Sequence, residues 1–222
     1  MTQATDGRLI AIGDIHGCSA ALASLLEALD PSPSDIVVTL GDYVDRGPDS
    51  KGVVDMLIEL GTRAQLVPLM GNHEEMMLDV LAGDQPHHGW LKYGGVETLE
   101  SYGFDGTLDF LPESHARFFE SLGDYYLTDE YFFTHAAYDP GLALENQSIE
   151  MLRWYSLRQG IPEPHPSGKT AVVGHTANHD GEIVDMGHLL CLDTYCYGGG
   201  WLTAADLSNR VVWQANQFGE MR

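Results

Sequence analysis

Residues 35–47 read DIVVTLGDYVDRG. Asp35–Asp42 is an apolar run of strand length, rich in β-branched residues and closed by Gly-Asp, which predicts a buried strand running into a turn. The turn that follows, Gly41-Asp42-Tyr43-Val44-Asp45-Arg46-Gly47, is dense in charge. The same design stands on either side of it. Upstream, Arg8–Asp14 (RLIAIGD) leads into Gly13-Asp14-Ile15-His16-Gly17, and downstream, Ala64–Met70 leads into Gly71-Asn72-His73-Glu74. Helical spacing fills the gaps. Cys18–Leu29 predicts a helix broken by Pro31 and Pro33, Ser50–Leu60 a second with Gly61 just past its end, and Glu74–Leu81 a third. Repeated strand–helix–strand units predict a parallel sheet in an α/β fold.

The middle of the chain reads differently. Residues 83–95 are loop-like, with Pro86, His87, His88, Gly89 and Trp90, while Val96–Tyr102 and Pro112–Leu122 predict short helices. Residues 83–122 are therefore expected to form a small helical insertion, or cap. The last third is strand-rich, at Tyr125–Thr134, Thr170–Gly174, Glu182–Asp193 and Trp201–Gln214. A second sheet packed on the first accounts for it. A length of 222 residues fits one domain, 1–222, with a sizeable core.

Composition narrows the partners. With 33 acidic against 11 basic residues the net charge is −22, a surface that repels nucleic-acid backbones and anionic membranes. No apolar run is long enough to span a bilayer, and Met1–Arg8 lacks the basic start and apolar stretch of a signal peptide, so a cytoplasmic location is expected. Cys18, Cys191 and Cys196 form no CxxC pair and read as reduced thiols.

Ligands collect beyond the carboxyl ends of parallel strands. Three strand ends opening with Gly should thus converge, and two later ones add histidine, at Phe132-Phe133-Thr134-His135-Ala136 and Val172-Val173-Gly174-His175-Thr176. Together they bring Asp14, His16, Asp42, Asn72, His135 and His175. Carboxylate and imidazole ligands suit Mn, Fe, Zn or Ni. Six such residues, one of them a carboxylate able to bridge, are an inventory for two metals about 3.5–4 Å apart that clamp an in-line displacement at phosphorus, with a metal-bound water of lowered pKa as nucleophile. Taken singly, each Asp reads as a helix cap or turn residue, Asn72 as a turn residue and His135 as a core histidine. The ordered set carries the reading.

The set GDIHG, GDYVDRG, GNHE, THA and GHT, spread from Leu9 to Asp193, resembles the bacterial phosphoprotein phosphatases of the calcineurin-like metallophosphoesterase superfamily. The resemblance implies a two-sheet β-sandwich flanked by helices. It implies that Asp14 and His16 bind a first metal, that Asp42 bridges, and that Asn72, His135 and His175 complete the second site. It makes His73 a proton donor to the leaving group, held by Asp45, and Arg46 a phosphate grip. A second phosphate-binding arginine is expected between the late histidines, where Arg153 and Arg158 stand and Arg153 is the choice. Ser156 occupies the place that the bacterial pattern gives to arginine, and Tyr195 stands where the family's Asp-Thr-Gly has glycine. The activity so implied is hydrolysis of phosphate monoesters, foremost phosphoserine and phosphothreonine in proteins, by direct attack of a dimetal-bound hydroxide with manganese as the expected metal. The alternative is hydrolysis of diadenosine tetraphosphate or related dinucleoside polyphosphates, for which Trp90 and Tyr93 are available to stack on adenine. Asp45-Arg46-Gly47 argues against a phosphodiesterase, and the full ligand set against a non-catalytic scaffold. His87, His88, His115, His165, His179 and His188 read as surface or structural.

Overall fold

A computed structural model of the chain describes residues 7–222. Strands β1 (Leu9–Ile12), β2 (Ile36–Thr39) and β3 (Gln65–Pro68) run parallel, Leu9 opposite Ile36 and Ile36 opposite Gln65. Helices α1 (Ser19–Leu29), α2 (Ser50–Arg63) and α3 (Asn72–Ala82) follow them in turn. The sheet is completed from the far end of the chain. The hairpin of β10 (Trp201–Asp206) and β11 (Val211–Ala215) lies antiparallel to β1, and the short β9 (Asp193–Thr194) pairs with β10. A second sheet has the order β4 (Tyr125–Leu127), β5 (Tyr131–Thr134), β6 (Thr170–Val173), β8 (Leu189–Cys191), β7 (Val184–Asp185), with β5, β6 and β8 parallel.

The period-two alternation of each strand sorts its side chains into two layers. Ala11, Val38, Leu40 and Leu69 of the first sheet meet Phe133, Val172 and Leu192 of the second in the sandwich interior. Ile10, Ile12 and Val37 point the other way, into a core shared with Leu22 and Leu25 of α1, Val54 and Leu57 of α2, and Met77 of α3. Each such side chain, once buried, contributes roughly 1.5–3 kcal/mol. The outer face of the second sheet, with Phe132, Ala171, Val173 and Leu189, is covered by Tyr138 from a loop and Leu144 from a short 3₁₀ turn. No described helix is long and apolar enough to cross a membrane.

Three local expectations shift. Helix α2 runs through Gly61 to Arg63, because buried Leu57 and Leu60 hold that turn on the core against a glycine cost of about 1 kcal/mol. Helix α3 starts at Asn72, so Asn72 and His73 form its first turn, and Glu74 in that turn accepts from Gly71 N at 3.1 Å. Residues 83–95 are not loop throughout. They form α4 (His87–Trp90) and a π-helical turn, Leu91–Gly95, with a break at Gly94 (φ 113°). Burial of Trp90 overrides the Gly/Pro/His composition there. With α5 (Val96–Ser101) and α6 (Glu113–Glu120), these turns lie on α2 and α3 and widen the helical layer.

Candidate metal centre

Three of the five motifs bend sharply as they leave their strands. His16, Asp42, Asp45, Arg46 and His175 all adopt positive φ, between 46° and 72°. Such conformations cost side-chain-bearing residues on the order of 1–3 kcal/mol each and persist where the surroundings fix them. Glu74 does the fixing at the second motif. Its fully buried carboxylate accepts from the backbone N–H of Asp42 at 2.8 Å, Tyr43 at 2.7 Å and Val44 at 3.1 Å. At Gly41 (φ 102°) a Cβ would stand 2.7 Å from Gly71 N and 2.8 Å from His135 Nδ1, so glycine is what lets three motifs close on one point.

His16, Asp42, His135 and His175 converge there, Asn72 bonds the last two, and Asp14 bonds the His175 backbone at the edge of the cluster. Three imidazoles are oriented alike. His16 Nδ1 bonds Val44 O at 2.9 Å, His135 Nδ1 bonds Leu40 O at 2.7 Å, and His175 Nε2 bonds Trp154 O at 3.1 Å. A carbonyl accepts only, so each of these nitrogens carries the proton and the other presents a lone pair to the cluster. His16 Nε2 faces Asp42 Oδ2 at 3.3 Å, and His135 Nε2 faces Asp42 Oδ1 at 3.4 Å and Asn72 Oδ1 at 3.0 Å. His175 Nδ1 faces Asn72 Oδ1 at 2.9 Å. Burial keeps His16 and His135 below the usual imidazole pKa, and burial with the neighbouring His135 brings His175 down to about 4. Acceptor therefore faces acceptor around the two oxygens of Asp42.

The carboxylates tell the same story. Asp14 Oδ2 accepts from His175 N at 2.8 Å, while Oδ1 is buried with no partner. Burial, with Asp193 and Asp42 beside it, raises the Asp14 pKa well above the carboxylate range, and burial pushes Asp193 up to about 6. Buried like charges and opposed lone pairs are costly unless a cation lies among them. Ligand atoms of His16, Asp42 and His73, and of Asp42, His135 and His175, form two groups within 4.8 Å that share Asp42. The donor set thus fits a pair of divalent cations, with imidazoles oriented by backbone carbonyls as metal-ligating histidines are.

His73 is held by a carboxylate instead of a carbonyl. Its Nδ1 bonds Asp45 Oδ2 at 2.6 Å, and its Nε2 lies 4.0 Å from Asp42 Oδ2. Burial opposes charge on His73, but Asp42 and Asp45 outweigh it and raise its pKa. The sequence gives no sign of what holds Asp45. Trp90 Nε1 donates to it at 2.9 Å and Thr98 Oγ1 at 2.7 Å, both from the insertion. Trp90 is 2% exposed, so it is a support for Asp45 and is not free to stack on a base. Arg46 donates to His16 Nε2 at 3.0 Å and His73 Nε2 at 2.9 Å, bringing positive charge to two of the lone pairs. Its guanidinium lies 4.5 Å from the Tyr197 ring centroid.

Arg153 is not hydrogen-bonded to the cluster. It donates through Nε to Asp124 at 3.0 Å and pairs with Glu75 at 3.4 Å, and Arg158 donates to Ala177 O at 2.7 Å. Tyr195 takes φ 66° and stacks on His179 at 4.1 Å, so the rim turns without the glycine. His115 and His165 are buried hydrogen-bonding residues away from the cluster.

The model of the family described as calcineurin-like phosphoesterase matches residues 7–208. The chain is 34% identical over 142 residues to the symmetrical bis(5'-nucleosyl)-tetraphosphatase of Nitrosomonas europaea, covering 63% of this chain and 48% of that protein. It is 41% identical over 85 residues to serine/threonine-protein phosphatase 1 of Salmonella typhimurium, covering 38% of this chain and 37% of that one. It spans about half or less of the length of these curated relatives. Among solved structures, a chain described as a candidate diadenosine tetraphosphatase superposes with TM-score 0.73 at 24% identity, covering 97% of this chain and 95% of that one. A cold-active protein tyrosine phosphatase superposes with TM-score 0.69 at 17% identity, covering 97% and 78%. Both likenesses speak to the fold. The motifs, the two-sheet architecture and the cluster agree with the family match over nearly the whole chain: this protein belongs to the calcineurin-like phosphoesterases.

Proposed function

We propose that this metallophosphoesterase hydrolyses dinucleoside polyphosphates at a pair of divalent cations, foremost manganese, held by Asp14, His16, Asp42, Asn72, His135 and His175. The observation that carries the metal assignment is Asp42, whose two oxygens face His16 on one side and His135 on the other. The dinucleotide part is supported by the Nitrosomonas europaea relative, named for that substrate, whose match extends over more of this chain than that of the protein phosphatase.

When bound, the two cations supply Lewis acidity, neutralising phosphate charge and lowering the pKa of a water placed for in-line attack. The chain's own groups do the rest. Arg46 swings from His16 and His73 onto a phosphate oxygen, where a planar guanidinium gives paired hydrogen bonds. His73 keeps a proton at Nδ1 against Asp45 and presents a second at Nε2 to the oxygen of the departing phosphate, as general acid. Asp45 orients that ring, and Trp90 and Thr98 orient Asp45. Arg153, paired with Asp124 and Glu75, reaches a phosphate only by leaving both, so Arg46 is the main grip.

A second reading, removal of phosphate from phosphoserine or phosphothreonine in proteins, is favoured by the 41% identity with the Salmonella typhimurium phosphatase. The two part on substrate. With the enzyme loaded with Mn²⁺, kcat/KM is compared for diadenosine tetraphosphate and a phosphoserine peptide. Preference for the dinucleotide is expected, and preference for the peptide reverses the order of the two readings.

A further inference from the structure

A groove of about 370 Å³ opens beside the cluster, lined among others by Met76, Asp79, Gln85, Trp90, Tyr93 and Trp154. Its two ends are tied to the centre. On one side Trp90 donates to Asp45, the partner of His73, and on the other the Trp154 carbonyl bonds His175. Its floor is α3, whose first turn carries Asn72 and His73. Met76 and Asp79 stand four and seven residues beyond Asn72, about 6 and 10 Å along the axis at the helical rise per residue. The groove thus starts next to the phosphoryl site and leads away from it by the reach of a nucleoside.

Its walls select what enters. Tyr93 is 52% exposed and Trp154 39% exposed, two large rings left open to solvent. Trp154 is anchored through its indole N–H, which donates to Glu75 at 2.7 Å. The lining carries the carboxylate of Asp79 and neither lysine nor arginine, which makes the groove unfavourable to a further phosphate and suits an occupant that is uncharged, flat and supplied with hydrogen-bond donors. A base fits that description. Its faces stack on the rings, its N–H groups meet a carboxylate, and a glutamine amide such as that of Gln85 pairs with the adenine N6/N7 edge.

We propose that this groove seats one purine base of a dinucleoside polyphosphate, with Tyr93 and Trp154 as its stacking walls, an assignment that rests on the dinucleotide reading above. The test compares Mn²⁺-loaded wild type, Tyr93→Ala and Tyr93→Phe on diadenosine tetraphosphate, on p-nitrophenyl phosphate, which has no base, and on a phosphoserine peptide. Loss of one base–aromatic stack should lower kcat/KM for the dinucleotide about 5- to 150-fold more than for p-nitrophenyl phosphate, with Tyr93→Phe restoring most of it. Exposure of Tyr93 keeps the fold out of the comparison. Wild type that cleaves the dinucleotide well while Tyr93→Ala alters both small substrates equally overturns the groove and leaves the dinucleotide reading standing. Wild type that cleaves p-nitrophenyl phosphate but not the dinucleotide overturns both. A loss confined to the peptide gives the groove to a peptide side chain and overturns the base.

Discussion

The two sheets reach the cluster by different routes. From the first, Asp14, His16 and Asp42 arrive on two strand-end loops and Asn72 and His73 on the first turn of α3, all at most 6% exposed, with Glu74 and Asp45 buried completely beneath them. From the second, His135 arrives just as deeply, but His175 is partly exposed and its Nε2 bonds the carbonyl of the half-open Trp154. On our account the first side fixes the chemistry and the second, with the groove along α3, meets the substrate. Substitutions on the two sides should then fail in different ways.

The largest loss should come from Asp42→Asn. It removes the whole negative charge from the one ligand that faces both histidine groups, and loss of several kcal/mol of metal-clamp stabilisation corresponds to about 10³-fold in kcat. Metal content and turnover, measured on the same preparation, check it, and near-normal turnover with full metal would break the first-side assignment.

A smaller loss should come from the insertion. Trp90→Phe keeps the buried ring but deletes the donor to Asp45, and supports of this kind are worth about 10- to 100-fold. The effect should fall on kcat more than on KM, because Trp90 is 2% exposed, its N–H is spent on Asp45, and phenylalanine keeps an apolar ring at the edge of the groove. A rise in KM alone would move Trp90 to the substrate side.

The smallest effect on turnover should come from Asp35→Asn, on the first sheet but away from the motifs. Asp35 accepts from Arg8 Nη2 at 2.7 Å, Arg8 N at 2.7 Å and Ser32 N at 2.8 Å, and the Arg8 guanidinium holds its carboxyl well below the usual range. A depressed folded-state pKa gives stability that is complete above the unfolded value near pH 4 and lost as pH falls through the folded one. The variant should lose about 2 kcal/mol at pH 7, about 4–8 °C in Tm, and the difference from wild type should shrink below pH 4. Thermal melts at pH 7 and pH 3 decide it. A difference that does not shrink in acid would place the contribution elsewhere.

The same asymmetry governs how much could be read beforehand. Strand–helix alternation over residues 8–82 is carried by local pattern, and the first-sheet ligands sit in contiguous motifs at strand ends. The last third was legible as strand-rich chain, but its assignment to a second sheet holds only as far as β8: β9, β10 and β11 join the first sheet, and the breaks within 182–193 depend on tight turns such as that at Gly187 (φ 79°). Least legible were contacts between distant segments. Trp90 lies 45 residues from Asp45 and Thr98 lies 53, and no spacing rule links a tryptophan in a Gly/Pro/His-rich stretch to a carboxylate. Trp90 read as an open aromatic because its burial comes from tertiary packing of the insertion on α2 and α3. Arg153 was placed near the cluster by its position between the histidines, but its partners Asp124 and Glu75 come from elsewhere in the chain.

The most direct test of the central claim is the metal stoichiometry of His73→Asn, measured by elemental analysis after loading with Mn²⁺ and removal of excess. His73 Nε2 lies 4.0 Å from the shared carboxylate, close enough to be mistaken for a ligand. Our account makes it a proton carrier outside the metal shell. It predicts two equivalents per chain, as in the wild type, with turnover down about 10²- to 10⁴-fold and most for poor leaving groups. Loss of one equivalent would make His73 a ligand and contradict the assignment.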